Sequence, residues 1–325
     1  MINKIRNYVF IYFHFLQSTK RITTMKNLFL LFIAGLVFSA CNTSTKQNEE
    51  TTDTLATESE VVETTVSLQE VWATDTVMMT PESVIYDQEK DVLYVANIAG
   101  VPPTAVDGDG FISRMNTQGE IIDMNWVNGL NGPKGMGIFG NTLYVTDINE
   151  LVAINIETGE IANRYPVEGA TFLNDVTVSP DGIVYFTDSD NATIHMLEND
   201  EVSVFLEGDM LNRPNGLFYE PDFLMLASSG DGQVKKVNFA DKSVEILADG
   251  IGSGDGIVPD GDGNYLISNW KGGLYFYNSD GELTQLMNTE GDMNTADIEY
   301  IIDQNLLLVP TFFDNRVVAY ELVKN

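Results

Sequence analysis

From Val66 onward the chain is a succession of short segments in which apolar and polar residues alternate, separated by turns rich in Gly, Pro, Asp and Asn. The clearest unit runs from Thr171 to Asp188. It holds a polar cluster at Asn174-Asp175, the alternating run Val176-Thr177-Val178, a Pro180-Asp181-Gly182 turn and a second run ending on Asp188, the pattern of a β-hairpin with a polar group at its entrance. The same order recurs with Glu82 before Ser83-Val84-Ile85, Lys134 before Gly135-Met136, Asn215 before Gly216-Leu217, Asp255 before Gly256-Ile257 and Asp297 before Ile298-Glu299. Successive entrance positions are separated by 52, 40, 41, 40 and 42 residues. One four-stranded propeller blade takes roughly 40–45 residues, so this spacing predicts an all-β fold, a six-bladed β-propeller.

In such a ring the innermost strands run the same way along a central channel, which gathers Glu82, Lys134, Asn174, Asn215, Asp255 and Asp297 at one mouth. All six are polar or charged, where a merely packed channel would use some small or apolar fillers; the ring therefore points to a binding site. The last repeat has room for only three strands, ending at Val317 to Leu322. Val66-Ser67-Leu68-Gln69-Glu70-Val71-Trp72 resembles the fourth strands of other repeats, such as Glu201 to Leu206, and is predicted to supply the missing one and close the ring. The long first step comes from an insertion, Ile98 to Gly110, between the second and third strands of its blade. Loops of that type emerge at the entrance mouth, so the insertion is a candidate lid. Within it, Asp107-Gly108-Asp109-Gly110 reads as turn chemistry and lacks the closing Glu of a helix-loop-helix calcium loop. Pro259-Asp260-Gly261-Asp262-Gly263 reads as a turn at the opposite mouth.

Ahead of the repeats, residues 1–40 read as a signal segment. Met25-Lys26-Asn27 begins a basic start, a short apolar run follows, and Phe38-Ser39-Ala40 precedes Cys41, so the true start is expected at Met25. The run is too short for a span of about 20 residues. Phe-Ser-Ala-Cys resembles a bacterial lipobox, which implies lipidation of Cys41 and membrane contact through that anchor alone, at the bacterial cell envelope. Cys41 is the only cysteine, so no disulfide can form. Residues 41–65 are Thr, Ser, Glu, Gln and Asn with few bulky apolar side chains, a composition read as a disordered tether, with the propeller spanning 66–325.

Charge narrows the partners. The chain after residue 40 carries 12 basic and 48 acidic residues, a net charge of −36, which repels nucleic acid and attracts cations. Of the two histidines only His195 follows the signal segment; it lies on an apparent third strand, away from the entrance positions. A His-rich zinc site or a soft-ligand metal site is thereby excluded, and a Ser-His-Asp triad is disfavoured. Two carboxylates (Glu82, Asp255) and two amides (Asn174, Asn215) on separate strands offer the oxygen ligands and irregular geometry that suit calcium, and a bound cation would relieve their mutual repulsion.

In order and phase, Pro81-Glu82-Ser83, Leu173-Asn174-Asp175-Val176, Pro214-Asn215-Gly216 and Gly254-Asp255-Gly256 resemble the metal-ligand motifs of the regucalcin and gluconolactonase-like family, to which the paraoxonases are related. The resemblance implies a divalent cation, usually calcium, at the channel mouth and hydrolysis of a small-molecule lactone or similar cyclic ester. It further implies that Glu82, Asn215 and Asp255 ligate the metal, that Asn174 contacts metal or substrate, that Asp255 assists the attacking water, and that Asp175 supports or supplies a ligand. Two positions depart from the family pattern. Lys134 stands where paraoxonase-like members place a His, so it either takes part in proton transfer or holds an anionic substrate group. Asp297 is an added acid, either an extra ligand, a substrate contact or an ion-pair partner of Lys134. A calcium-dependent lactonase is thus the expected function; a non-catalytic, metal-bearing propeller that binds a ligand or partner protein is the alternative. A quinone-dependent dehydrogenase would need a cofactor motif that the chain lacks.

Overall fold

The computed structural model describes residues 65–325. The signal segment, the Cys41 lipidation site and all but the end of the tether lie outside the described residues.

Six antiparallel sheets of four strands follow one another along the chain as blades 1 to 6. Their innermost strands are Pro81–Asp87, Pro133–Phe139, Leu173–Val178, Pro214–Glu220, Gly254–Pro259 and Glu299–Ile301. Each packs beside the innermost strand of the blade before and after it, and the sixth meets the first, so the strands ring a central channel. The protein is a six-bladed β-propeller. In blades 1 to 5 strand order in the sheet follows the chain; in blade 6 the outermost strand is Val66–Ala73, antiparallel to Arg316–Lys324 with Val66 opposite Lys324. The predicted closure by the N-terminal strand is therefore observed, and it joins the two ends of the described chain in one sheet.

The core is divided among the seams between blades. Tyr94, Ile112 and Leu130 of blade 1 meet Leu143, Val152 and Ile154 of blade 2, and Leu93, Val95 and Met115 of blade 1 meet Leu306, Leu308 and Val317 of blade 6. Each fully buried aliphatic side chain stabilises the fold by roughly 1.5–3 kcal/mol before entropic costs, so a closed ring leaves no seam open to water. Burial falls outward within a blade. The second strand Val184–Asp188 is buried at every position, which is why it reads as an apolar run; the fourth strand Val244–Asp249 alternates with exposed residues. Both Asp-Gly segments are turns: Asp107 Oδ1 accepts the Asp109 N–H at 3.2 Å, and Asp260 Oδ1 accepts those of Asp262 and Asn264 at 2.8 and 3.0 Å.

Candidate functional site

Five of the six entrance residues directly follow the paired residue that opens a break in strand register: Glu82 between Pro81 and Ser83, Lys134 between Pro133 and Met136, Asn174 between Leu173 and Val176, Asn215 between Pro214 and Leu217, Asp255 between Gly254 and Ile257. Such a break bends the strand and re-aims a side chain out of the normal alternation. The glycine that follows several of these residues has a steric cause. A Cβ on Gly216 would overlap the Asp255 carbonyl oxygen, and one on Gly256 would strike the Asp297 carboxylate, because neighbouring inner strands approach closely there. Polar residues at the ends of the second strands hold the segments leading in. Asp147 accepts the N–H groups of Asn131 and Gly132, Asn97 Oδ1 accepts that of Met79 at 3.0 Å, and Asn269 Nδ2 donates to the Ile251 carbonyl at 2.5 Å.

The result is one cavity of about 360 Å³ at the mouth, with Glu82, Lys134, Asn174, Asn215 and Asp255 in its lining. All five are buried, none more than 7% exposed. Asn215 Nδ2 donates to Asp255 Oδ1 at 2.9 Å and Asn174 Nδ2 donates to Ser189 Oγ at 3.3 Å, so each amide keeps its oxygen for another partner. Glu82 Oε2 is buried without any hydrogen-bond partner. Burial first, then the charge of Asp255, pushes the Glu82 carboxyl well above its usual range; burial, then Asp297, does the same to Asp255. Lys134 Nζ donates to the carbonyls of Pro103 and Gly132, both at 3.0 Å, and lies 5.0 Å from the centre of the Phe172 ring. Its burial lowers its pKa, against the pull of Glu82 and Asp147. An ammonium has three donors, and one remains for a ligand. Among the described residues no three His, Cys, Asp or Glu side chains cluster as a metal site. The set here, two carboxylates and two amide oxygens with one orphaned carboxylate oxygen, suits a hard cation on donor chemistry.

The sixth entrance residue goes elsewhere, and so does Asp175. Asp175 and Asp297 line a second cavity of about 350 Å³, farther along the channel, together with Glu299. Asp175 accepts the N–H groups of Leu217 and Val176, both at 2.6 Å, tying blade 3 to blade 4. Asp297 Oδ2 accepts the Ser83 hydroxyl at 2.8 Å and its N–H bonds the Glu82 carbonyl at 2.9 Å. The ion pair considered between Lys134 and Asp297 does not form, because Lys134 is engaged by two carbonyls and Asp297 by Ser83. Blade 6 carries the same register break, between the Thr295–Thr311 pair and the Glu299–Leu308 pair, but Asp297 sits one residue farther into it: Ala296 holds the place of Asn174, and Asp297 that of Asp175. His195 is on a third strand, stacked on Phe186 with ring centres 5.3 Å apart, and does not line the mouth cavity.

A second ring was not anticipated. The residues directly after the six second strands are Ile98, Ile148, Ser189, Ser229, Trp270 and Phe312, and all but Ile148 line the mouth cavity. The repeat period that located Glu82 and its equivalents locates these as well. The insertion of blade 1 also reaches the cavity, through Val101 and Pro103, as a loop at that mouth should.

Fold and cavity together define a six-bladed propeller with carboxylates and amides buried at one mouth of its channel. No protein-family model and no curated protein matches the chain. Among solved structures it is similar to a gluconolactonase from Xanthomonas campestris (TM-score 0.59, 15% identity, covering 78% of this chain and 87% of that one). It is also similar to virginiamycin B lyase from Staphylococcus aureus, solved with quinupristin (TM-score 0.58, 13% identity, 80% and 100% covered). A chain of a nidogen–laminin complex is similar too (TM-score 0.55, 17% identity, 67% and 83% covered). At these identities the likeness is one of fold.

Proposed function

We propose that this protein is a calcium-dependent hydrolase of the lactonase type, acting on a small cyclic ester at the channel mouth. The observation that carries the reading is the gathering of Glu82, Asn174, Asn215 and Asp255, from four different blades, around one cavity with an unpartnered buried carboxylate oxygen. A gluconolactonase among the structures of similar fold supports the same class.

In this reading Glu82, Asn174, Asn215 and Asp255 hold the cation. Calcium bound there would polarise the ester carbonyl and stabilise the negative charge that develops on its oxygen. Asn215, by donating to Asp255 Oδ1, fixes the orientation of that carboxylate and leaves its own oxygen to hold the cation. Asp255, oriented by Asn215, takes a proton from the water that adds to the ester carbon. The ring C–O bond then breaks, the leaving oxygen takes up a proton, and the product is the open hydroxy acid. Lys134 directs its remaining N–H at an oxygen of the substrate. Asp175, though expected as a participant, is assigned to positioning, since its carboxylate is engaged by two backbone N–H groups. Asp297 is likewise assigned to the channel wall.

The test is a panel of aldonolactones and alkyl-substituted lactones, assayed with calcium and with chelator. Turnover is expected only with the metal, and Asp255→Asn is expected to lower kcat roughly 100-fold or more. No metal-dependent turnover on any member of the panel would leave the protein a ligand-binding platform. We further propose anchoring at the bacterial cell envelope through Cys41, on the sequence motif; failure of a Cys41→Ala variant to change membrane retention would refute it.

A further inference from the structure

The mouth cavity differs from one side to the other. Blades 5, 6 and 1, consecutive around the ring, contribute Trp270, the pair Phe312 and Phe313, and Val101; on the side of blades 3 and 4 the lining is Ser189, Arg213 and Ser229, with Phe172 beside Ser189 and its ring 5.0 Å from the Lys134 ammonium. An apolar arc thus faces a polar one above the buried carboxylates and amides. Phe312 is buried, while Trp270, Phe313 and Val101 are 36%, 53% and 64% exposed.

The apolar arc is held in shape by its own backbone. Asn294 Nδ2 donates to the Trp270 carbonyl at 2.7 Å, and the Asn294 carbonyl accepts the Phe312 N–H at 3.2 Å, so one residue joins the loops of blades 5 and 6. The three rings meet edge to face: Trp270 with Phe312 at 68°, Trp270 with Phe313 at 75°, and Phe312 with Phe313 at 90°, with centres 4.9 to 6.0 Å apart. Rings so arranged form an uneven apolar corner, unlike the single flat face on which a sugar ring stacks. The opposite arc offers little to a ring of hydroxyls. Ser189 Oγ donates to the Pro214 carbonyl at 2.7 Å and Ser229 Oγ to the Arg213 carbonyl at 3.0 Å. The Arg213 guanidinium is paired with Asp190 at 2.6 Å.

Resting on the lactone reading above, we infer that the substrate carries an apolar substituent, alkyl or aromatic, which lies in the Trp270–Phe312–Phe313 corner against Val101 while its ester group meets the carboxylates and amides below. A polyhydroxylated lactone leaves that corner wet and finds the Ser189 and Ser229 hydroxyls already donating to carbonyls. The size is consistent: a cavity of about 360 Å³ falls at the small end of ligand sites, with room beyond a bare five- or six-membered lactone.

The test uses the calcium-loaded protein and one series: an unsubstituted lactone, the same ring with propyl, hexyl or phenyl substituents, and an aldonolactone. kcat/KM is expected to rise about three- to fourfold per buried methylene, mostly through KM, with the aldonolactone poorest. Trp270→Ala is expected to lower kcat/KM about tenfold or more on the hexyl and phenyl members and far less on the unsubstituted ring. Preference for the aldonolactone, or an equal loss on every member, would overturn the inference. A parallel measurement separates it from the hydrolase reading: quenching of tryptophan fluorescence by hexyl- and phenyl-substituted lactams, which do not need turnover. Saturable quenching abolished by Trp270→Phe tests contact at Trp270, while melting-temperature shifts of the Phe313→Ser variant test the corner. Lactam binding without any hydrolysis would remove the enzyme and keep the apolar corner; no binding of either lactam would remove the corner.

Discussion

The channel holds two cavities of nearly equal volume, each bearing buried acids, and they differ in how those acids are answered. In the farther one every acid has partners: Asp175 receives two backbone N–H groups, Asp297 the Ser83 hydroxyl, and Glu299 the N–H groups of Tyr86 and Tyr300 at 3.1 and 2.8 Å. At the mouth, Glu82 Oε2 has none and both amides keep an oxygen free. A satisfied buried acid ties strands together; an unsatisfied one, costly to leave so, marks the place where a ligand supplies what is missing. In this propeller the satisfied and the unsatisfied acids are separated by depth along a single channel.

The sharpest way to break this contrast is to replace one acid on each side. Glu82→Gln is expected to abolish calcium binding by titration calorimetry and to lower turnover roughly 100-fold or more. Asp175→Ala should instead leave calcium affinity within a few-fold of the parent while destabilising the fold by about 3 kcal/mol in urea melts. Loss of calcium binding in a folded Asp175→Ala protein would erase the distinction.

Next in size is the response to pH. Burial raises the Asp297 carboxyl to about 6 and that of Glu299 to about 7. The folded state therefore keeps protons that the unfolded chain gives up, so this stabilisation is complete below pH 4 and is lost as pH rises to about 7. Without calcium, the melting temperature should fall by about 10 °C between pH 5 and pH 8, on the order of a few kcal/mol. Calcium should raise it more at pH 8 than at pH 5, since Glu82 and Asp255 must be ionised to hold the cation. A calcium effect independent of pH would count against ligation by these two acids.

The smallest effect concerns the insertion. A Cβ on Gly132 would come within 2.6 Å of the Pro103 carbonyl, which also accepts from Lys134. Gly132→Ala should push the Pro103 segment away and raise KM a few-fold with kcat little changed. An unchanged KM would mean that the insertion does not help to form the site.

Much of this could be read before folding was considered. The strand alternation, the repeat of 40 to 42 residues and the spare N-terminal strand are local or periodic properties, and they were sufficient for the blade count, the closure and five residues of the mouth. The second ring, from Ile98 to Phe312, carried the same period and was equally legible to anyone who followed the ends of the second strands. Other features had no local signature. Asn174 and Asp175 are neighbours in the chain yet line different cavities, because a break in strand register lets the backbone send consecutive side chains to different depths. By spacing alone Asp297 shares the phase of Asp255, but the pairing of Thr295 with Thr311 puts Ala296 at that place and Asp297 one residue on, in the phase of Asp175, which is why those two acids share the deeper cavity. Periodicity follows from residue order alone and so survives in a string of letters. Depth along the channel, the partners that satisfy each acid and the meeting of Trp270 with Phe312 depend on how blades distant in sequence approach one another, and only the closed ring sets those distances.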